Sequence, residues 1–375
     1  MDPTLRNRTA VVGVSQTPLE RRSARSIGAV AVEAALNAIA DAGLTRADID
    51  GYVGAPAAPG ASALHADGVD EVSAGFMVSA LGLKDASWVT DVDGMAGGMV
   101  VAAVQALATG SCRYVLALRA LYNPPDRKYS ESRTTLAAGP DQFTLPYGIG
   151  PGGGRFAQWL QRYMYDHGAS REALFEIAVL AREHAQHNPL AIWRDAGALT
   201  LDTYMNARWI NEPMCLYDSD MPVTGAAAVV MTTAERATGS PHRPAYIAGY
   251  ANSANPTAVF EVSGITRRDV RVAQIYDGYA PMVWLWLERF GFCGVGEAHQ
   301  FAAGDRVRLG GELPLNTFGG ALGEGRLHGM GHVREAALQA MGRAGPRQVR
   351  DAGHSLVQVG IPERSWTVVF SADPG

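Results

Sequence analysis

Short apolar runs alternate with segments of helical periodicity along most of the chain. Residues 9–14 (TAVVGV) form a β-rich apolar run that ends at a turn, and residues 26–42 repeat apolar positions at helical spacing. Further apolar runs at 115–118, 226–231 and 244–248 predict strands. Glycine and proline are numerous, at 43 and 20, and they cluster between these runs. The pattern predicts an α/β protein.

Two pairs of segments indicate an internal duplication. Residues 43–49 (GLTRADI) and 264–270 (GITRRDV) are nearly the same sequence. The glycine-rich segments 93–98 and 316–320 lie about the same distance apart, roughly 220 residues. At 375 residues, the chain is also longer than a single hydrophobic core normally supports. We therefore predict two similar halves, residues 1–240 and 241–375.

The first half contains an insertion. From about residue 120 to 210 the strand–helix alternation gives way to polar, aromatic and Gly/Pro-rich sequence, with one clear helix predicted at 171–187. An excursion of this length between two buried strands is typical of a functional loop. We expect it to cover a site formed by the core.

Charge and cysteine content exclude several classes of function. Lys+Arg of 32 against Asp+Glu of 37 gives a net charge of −5 without a basic stretch, so nucleic acid is not an expected partner. The chain has neither a signal-peptide pattern nor an apolar segment long enough to cross a membrane, which favours a cytoplasmic protein. Its three cysteines are far apart, so neither a disulfide framework nor a CxxC metal site is expected.

The order of motifs resembles the thiolase superfamily over essentially the whole chain. Asp-x-x-x-x-Gly-Ala-Ala-Ala occupies 220–228 and Asn-x-x-Gly-Gly occupies 316–320. Segments 217–228, 273–293 and 315–332 are most similar to the bacterial lipid-transfer-protein branch, which is related to sterol-carrier-protein thiolases and includes aldolases that shorten steroid coenzyme A esters.

This resemblance implies a fold, a site and partners. The fold would be the five-layered α-β-α-β-α arrangement of two duplicated halves. The active site would lie where the glycine-rich helix of the first half meets loops of the second, beneath the insertion. The resemblance also implies a homodimer and a small partner protein with an OB fold and a zinc ribbon. Coenzyme A would be part of the substrate, with no bound cofactor and no metal.

Both thiolase cysteines are missing from the positions where the resemblance places them. The first would precede the helix that begins near Gly97, and Met95 or a neighbour stands there. The second would lie near the C-terminal strand at 355–360, where Gln358 or a neighbour replaces it. A thioether cannot form an acyl-enzyme, so two-cysteine Claisen chemistry is excluded on this interpretation.

The Gly-His-Pro motif of thiolases is also altered. Its histidine position is occupied by Arg326, and two nearby histidines, His328 and His332, could take over part of its role. Each imidazole could equally cap a helix or form satisfied hydrogen bonds in the core.

The loop that reads Asn-Glu-Ala-Phe in thiolases is Tyr276-Asp277-Gly278-Tyr279 here. A retro-aldol step needs a base for the β-hydroxyl proton and a donor for the enolate oxygen, and Tyr276 could do either. As a base it would need a cationic neighbour such as Arg326 or a histidine, because a phenol has a pKa of about 10. The structural alternative is that its hydroxyl caps a backbone group. Asp277 is interpreted as orienting the loop and Tyr279 as packing.

The remaining candidates are possible substrate-binding residues and one pair of histidines. Asn316 has a structural alternative, since its amide could fix the Asn-x-x-Gly-Gly turn. His184 and His187 lie three residues apart on a predicted helix, but no third metal ligand is visible, so a solvated helix face is favoured. The predicted substrate-binding residues are Asn316, Gly319, Gly320, Met95 and Gly97.

The favoured hypothesis is an aldolase-type lyase acting on a β-hydroxyacyl coenzyme A thioester, with substrates of the steroid side-chain type implied by the resemblance. Its predicted catalytic residues are Tyr276, His332, His328, Asp277 and Arg326. Two alternatives stay open. One is an acyltransferase or thiolase with an atypical nucleophile, and the other is a catalytically degenerate lipid-binding or scaffold subunit.

Overall fold

The computed structural model describes residues 5–56, 72–92, 95–123, 137–149 and 153–375. The strands are β1 Thr9–Gln16, β2 Gly51–Gly54, β3 Trp88–Asp91, β4 Tyr114–Leu121, β5 Trp209–Asn211, β6 Met214–Cys215, β7 Gly225–Thr233, β8 Ala245–Asn252, β9 Val272–Ile275, β10 His354–Ile361 and β11 Arg364–Ser371. The helices are α1 Ile27–Asp41, α2 Ala74–Leu81, α3 Ala96–Ala108, α4 Gly153–His167, α5 Arg171–Gln186, α6 Leu201–Met205, α7 Ala234–Ala237, α8 Ala258–Ser263, α9 Pro281–Arg289, α10 Ala298–Phe301, α11 Gly320–Gly323 and α12 Met330–Met341.

The strand order shows two related halves. Nine strands are hydrogen-bonded in the order β3-β2-β4-β7-β1-β8-β11-β10-β9, so the two halves meet where β1 pairs with β8. The two halves have corresponding strands when each is followed outward from this junction. The first half runs β1, β7, β4, β2, and the second runs β8, β11, β10, β9. A parallel bridge between Ala273 and Leu315 takes the place that β3 has beside β2.

The helices form three layers around the two halves of the sheet. Central helices α3 and α12 share one buried cluster with β1, β4 and β7 of the first half and with β8, β10 and β11 of the second. The opposite face of the first half packs on α1 and α2, and that of the second half on α9 together with α4 and α5. This arrangement confirms the predicted five-layered α-β-α-β-α fold.

The repeated seven-residue segment forms the same turn in both halves. Each copy contains a short 3₁₀ turn, Arg46–Asp48 or Arg267–Asp269, and leads into the second strand of its half. The backbone N–H of Thr45 donates to the Asp48 carboxylate at 2.8 Å, and Thr266 donates to Asp269 at 2.7 Å. This is a capping box, which explains why Thr and Asp are kept at this spacing. The division at residues 240 and 241 stays a prediction.

The insertion contains more regular structure than the sequence indicated. The predicted helix at 171–187 corresponds to α5, but α4 was missed, so the expectation of one clear helix was wrong. Glycines at its start and a polar outer face concealed an apolar stripe that includes Phe156, Leu160 and Tyr163. This stripe packs on α9 in the second half.

Two buried ion pairs stabilise the C-terminal half. Glu335 on α12 has no exposed surface, and it accepts hydrogen bonds from Arg347 at 2.9 Å and from Thr317 at 2.8 Å. Glu324 pairs with Arg334 at 2.6 Å and accepts from Asn188 at 2.8 Å. The second pair links the end of α5 to the loops that follow β9.

Replacing Arg347 with methionine is expected to lower the free energy of unfolding by about 3–5 kcal/mol, because it leaves the Glu335 carboxylate buried without its ion-pair partner. The matched control is Arg343→Met, since Arg343 pairs with Asp41 at 2.7 Å in a more exposed position. That change should cost about 1 kcal/mol or less. Urea unfolding of both variants measures the difference, and equal losses would contradict the prediction.

Candidate active site

The Tyr276 loop leaves the end of β9 and is held by side chains from two neighbouring segments. Asn316 accepts a hydrogen bond from the Ile275 N–H at 2.7 Å and donates to the Ile275 carbonyl at 2.8 Å. On the other side, the Gln358 side chain accepts from the Tyr276 N–H at 3.3 Å. Both polar groups of the Asn316 amide are therefore engaged with the backbone beside Tyr276. Contact between Asn316 and substrate stays a prediction.

Asp277 connects this loop to His332 and to the start of α11. One carboxylate oxygen lies 2.9 Å from Nε2 of His332 and accepts the Ala321 N–H at 2.7 Å. Both side chains are almost fully buried. The centre of the His332 ring lies 5.5 Å from that of the Tyr276 ring and 4.9 Å from that of the Phe318 ring. The contacts link the Tyr276 loop to α11 and α12, and the orienting and catalytic roles expected of Asp277 stay predictions.

Gly320 is required by the close approach of Asp277. Its φ is +65°, and a β-carbon there would lie 1.9 Å from the Asp277 carboxylate. Its neighbour Gly319, with a φ of +102°, packs against Ala185 of α5. The two glycines allow the turn to fit between the carboxylate and the insertion.

Replacing Gly320 with alanine is expected to displace Asp277 and impair both activity and stability. The control is Gly342→Ala, which has a similar φ of +74° but no atom within 4 Å of the added carbon. The control should cost about 1 kcal/mol from the backbone conformation, and Gly320→Ala should cost about 1–3 kcal/mol more from overpacking. Thermal unfolding of the two variants checks this, and equal melting temperatures would refute it.

Tyr276 is a buried phenol in a strongly polar setting. Burial raises its pKa well above the ordinary value, the carboxylates of Asp220 and Asp277 raise it further, and Arg119 opposes them. The phenol is therefore protonated at neutral pH and can act as a proton donor. Within the described residues its hydroxyl forms no hydrogen bond, which leaves it able to bind a ligand.

Asp220 belongs to the same site, although it was not a predicted site residue. Its N–H donates to the Gly278 carbonyl at 3.1 Å, which places it against the Tyr276 loop. It is 8% exposed, and its carboxylate forms no hydrogen bond within the described part of the chain. Burial, followed by the charge of Asp277, raises its pKa well above the ordinary value. A carboxyl group whose pKa is raised in this way is a stronger base than an ordinary one once it has lost its proton.

Two buried arginines and His328 form the cationic side of the site. Arg119, also missed from the sequence, enters from β4, and its Nη2 donates to Nδ1 of His328. Burial lowers the pKa of Arg119 to about 10 and that of Arg326 to about 9. Both guanidinium groups remain charged at neutral pH. Arg119 also acts electrostatically on Tyr276, so the cationic groups and the phenol share one site.

The start of α3 lies beside this cluster. The Ala96 N–H donates to the His328 carbonyl at 3.1 Å, and Met95 precedes the helix as a half-buried side chain. A β-carbon on Gly97 would lie 2.4 Å from Trp366, so this glycine permits α3 to approach β11. Substrate contacts by Met95 and Gly97 stay predictions. Asp93, the first residue of the glycine-rich segment 93–98, lies outside the described residues.

The cysteines are poorly suited to nucleophilic attack. Burial raises the pKa of Cys112 to about 12, of Cys215 to about 11 and of Cys293 to about 12. At neutral pH they are therefore thiols rather than thiolates.

Helix α5 of the insertion packs against the turn that holds the Tyr276 loop, and coverage of the site by the insertion stays a prediction. Nδ1 of His184 lies 3.0 Å from the Leu315 carbonyl and 3.2 Å from that of Asn316. Burial lowers the His184 pKa to about 4, so the ring is neutral and Nδ1 is its donor. This engagement differs from the solvated helix face expected for His184. The described ranges contain no group of three metal-ligating side chains and no helix long and apolar enough to cross a membrane.

Comparison with known proteins identifies the family. The chain is 31% identical over 389 residues to the 17-hydroxy-3-oxo-4-pregnene-20-carboxyl-CoA lyase of Mycobacterium tuberculosis, covering 95% of this chain and 97% of the lyase. It is 32% identical to a steroid side-chain-cleaving aldolase of Thermomonospora curvata, covering 97% and 98% of the two chains. The family model described as Thiolase C-terminal domain-like matches residues 239–371. The chain belongs to the thiolase superfamily.

Within the superfamily, the aldolase branch resembles the chain more than the thiolases do. The solved structure of the Ltp2-ChsH2(DUF35) aldolase is 31% identical, with a TM-score of 0.87 over 98% of this chain and 99% of the other. Human mitochondrial 3-ketoacyl-CoA thiolase, at 16% identity and a TM-score of 0.68 over 98% of this chain and 99% of that one, shares the fold. The predicted resemblance to steroid side-chain-cleaving aldolases is thus confirmed.

Proposed function

We propose that this thiolase-superfamily protein is a carbon–carbon lyase that cleaves a β-hydroxyacyl coenzyme A thioester by a retro-aldol reaction. The observation that carries the proposal is the Tyr276 phenol beside the hydrogen-bond-free carboxylate of Asp220, at a site where Met95 precedes α3. These groups can move protons, whereas the thioether cannot hold an acyl group. The names of the two similar relatives, a lyase and an aldolase, support the same reaction.

The reaction requires one base and one acid. The base takes the proton of the β-hydroxyl, whose O–H electron pair then forms the new carbonyl bond. The bond between the α- and β-carbons breaks, and its electron pair becomes the enolate of the thioester. The acid returns a proton to the α-carbon, which yields a ketone and a shorter acyl coenzyme A.

We assign the base to Asp220 and the acid to Tyr276. Asp220 is the carboxylate with a raised pKa and no hydrogen bond among the described residues, whereas Asp277 is engaged by His332 and Ala321. Tyr276 begins the cycle protonated, as an acid must, and Arg119 favours the phenolate left behind. Proton transfer between the two groups through solvent or product would then restore the starting state. This role for Tyr276, protonation of the α-carbon, differs from the two considered from the sequence, which were base for the β-hydroxyl and donor to the enolate oxygen.

The substrate class and the assembly are further parts of the proposal. Both relatives have names that refer to steroid substrates. We propose that the substrate of this chain likewise has a bulky acyl group, and that this group bears a tertiary alcohol. The name of the similar structure, Ltp2-ChsH2(DUF35) aldolase, contains a second component, which supports a small partner protein here. We also propose a homodimer in the cytoplasm, with coenzyme A entering as part of the substrate.

The test is to incubate the protein, alone and with a neighbouring OB-fold protein, with a β-hydroxyacyl coenzyme A that bears a tertiary alcohol. We expect one ketone and one shorter acyl coenzyme A per cleavage, detected by mass spectrometry. The control substrate is the same thioester without the β-hydroxyl, which should remain intact. Transfer of the acyl group to free coenzyme A would instead support an acyltransferase, and binding without turnover would support a scaffold subunit.

A further inference from the structure

The contact between Arg119 and His328 determines which nitrogen of the imidazole carries the proton. Nη2 of Arg119 lies within hydrogen-bond distance of Nδ1 of His328. A guanidinium group has only donors, so Nδ1 must accept. In a neutral imidazole the proton is then on Nε2, and the ring offers one N–H donor. The only lone pair that could accept a substrate proton is already occupied.

The surroundings of His328 also keep the ring uncharged. Burial lowers its pKa well below the ordinary value, and the charges of Arg326 and Arg119 lower it further. These arginines are the charged groups that act on the ring within the described residues. An imidazolium would face both guanidinium groups, and its Nδ1 proton would point at the Arg119 donor. Protonation is therefore opposed by burial, by charge and by hydrogen-bond geometry.

The backbone holds this ring at the start of α3. His328 has a φ of +47°, a conformation uncommon for a residue with a side chain, and its carbonyl accepts the Ala96 N–H at 3.1 Å. His328 is partly exposed, whereas Arg119 and Arg326 are buried. His328 is thus the least buried member of this cluster of three side chains. Residues held by their surroundings in uncommon backbone conformations are found most often at active sites and ligand-binding positions.

We propose that Arg119 is a positioning residue that locks His328 as an uncharged Nε2–H donor, and that this donor binds the thioester carbonyl oxygen and stabilises its enolate. The inference rests on the proposed retro-aldol function. Negative charge develops on that oxygen when the carbon–carbon bond breaks, and a fixed N–H donor stabilises it without reorganisation. His328 would then supply electrophilic stabilisation, not the base for the β-hydroxyl.

The tautomer can be measured in the resting protein by nitrogen-15 NMR of histidine-labelled samples. His328→Asn assigns the signals by their disappearance. We expect an unprotonated Nδ1 and a protonated Nε2, with no titration between about pH 5.5 and 8.5, a range in which an ordinary histidine changes charge. In Arg119→Met the lock is removed, and the ring should titrate or exchange tautomers. Arg119→Gln, which can retain one N–H donor to Nδ1, should restore the wild-type pattern in part.

The same inference predicts how activity depends on the donor. His328→Phe should lower kcat by about 10²–10³-fold, the usual effect of removing one oxyanion donor. His328→Gln, which can place an amide N–H in the same region, should retain more activity than His328→Phe. Circular dichroism and thermal unfolding confirm that the variants being compared are folded.

The outcomes separate this inference from the proposed function. A protonated Nδ1 in a wild-type protein that cleaves the substrate would overturn the locked donor and leave the retro-aldol reaction standing. Full activity of a folded His328→Phe variant would also overturn it. A wild-type protein that fails to cleave any β-hydroxyacyl thioester would instead remove the proposed function, whatever the tautomer.

Discussion

Replacing Tyr276 with phenylalanine is expected to lower kcat by about 10²–10⁴-fold, the usual contribution of a positioned acid or base. The change removes one oxygen, and its ring can remain packed beside His332. Because the hydroxyl forms no hydrogen bond within the described part of the chain, its loss leaves no described group unsatisfied. The fold should therefore survive while the reaction loses its proton donor.

The measurement is single-turnover release of the shorter acyl coenzyme A, compared with binding of the intact thioester. Tyr279→Phe is the matched control, since this tyrosine is in the same loop and packs 5.2 Å from the Phe156 ring. It should keep most of the activity. Unchanged turnover in Tyr276→Phe, or equal losses in the two variants, would remove Tyr276 from the acid role.

Replacing Asp220 with asparagine is expected to abolish most activity and yet stabilise the protein at neutral pH. The folded protein raises the pKa of this carboxyl, so between its unfolded and folded pKa values the native state binds more protons than the unfolded state. Stability is then lost as the pH rises through this window, and it is not regained above it. Asparagine is uncharged, so the variant does not lose stability over this pH range. The melting temperature at neutral pH should therefore rise.

Two measurements test this assignment together. In the wild-type protein kcat/KM should increase with pH as Asp220 loses its proton, because a base must be unprotonated to work. The melting temperature of Asp220→Asn should exceed that of wild type at neutral pH and approach it in acid. A variant that loses activity and stability together would indicate a structural carboxylate. A variant with full activity would assign the base elsewhere.

Much of the fold was predictable because its two strongest signals can each be recognised in short stretches of sequence. The apolar periods located β1, α1 and α5, and the repeated GxTRxD segment indicated a duplication that the strand order also displays. Prediction failed at α4, where glycines and a polar face masked an apolar stripe. The apolar residues of α4 are buried by packing on α9, which comes much later in the chain. Their role therefore depends on tertiary structure.

The site was predictable only in part, for similar reasons. Tyr276, Asp277 and His332 do lie together, and their loop could be located by its motif. Arg119 and Asp220 were missed because they come from other segments of the chain. Arg119 could have been recognised from the sequence, because it places a charge within the otherwise apolar strand YVLALRAL. Asp220 lay within a motif shared with the thiolases, but its importance depends on having no hydrogen bond among the described residues, which a sequence does not show.

Gln358 has a consequence for any attempt to convert this protein to a thiolase. Gln358 or a neighbour stands where the resemblance to thiolases places the second cysteine. The Gln358 amide oxygen accepts from the Tyr276 backbone N–H, and its amide nitrogen lies 3.2 Å from the Ser365 hydroxyl. Cysteine there would remove the side-chain hydrogen bond to the Tyr276 N–H, whereas the main-chain carbonyl of residue 358, which accepts the same N–H at 3.0 Å, would remain. Engineering thiolase chemistry into this scaffold would therefore require substitutions in two separate segments, one at or near Met95 and one at or near Gln358.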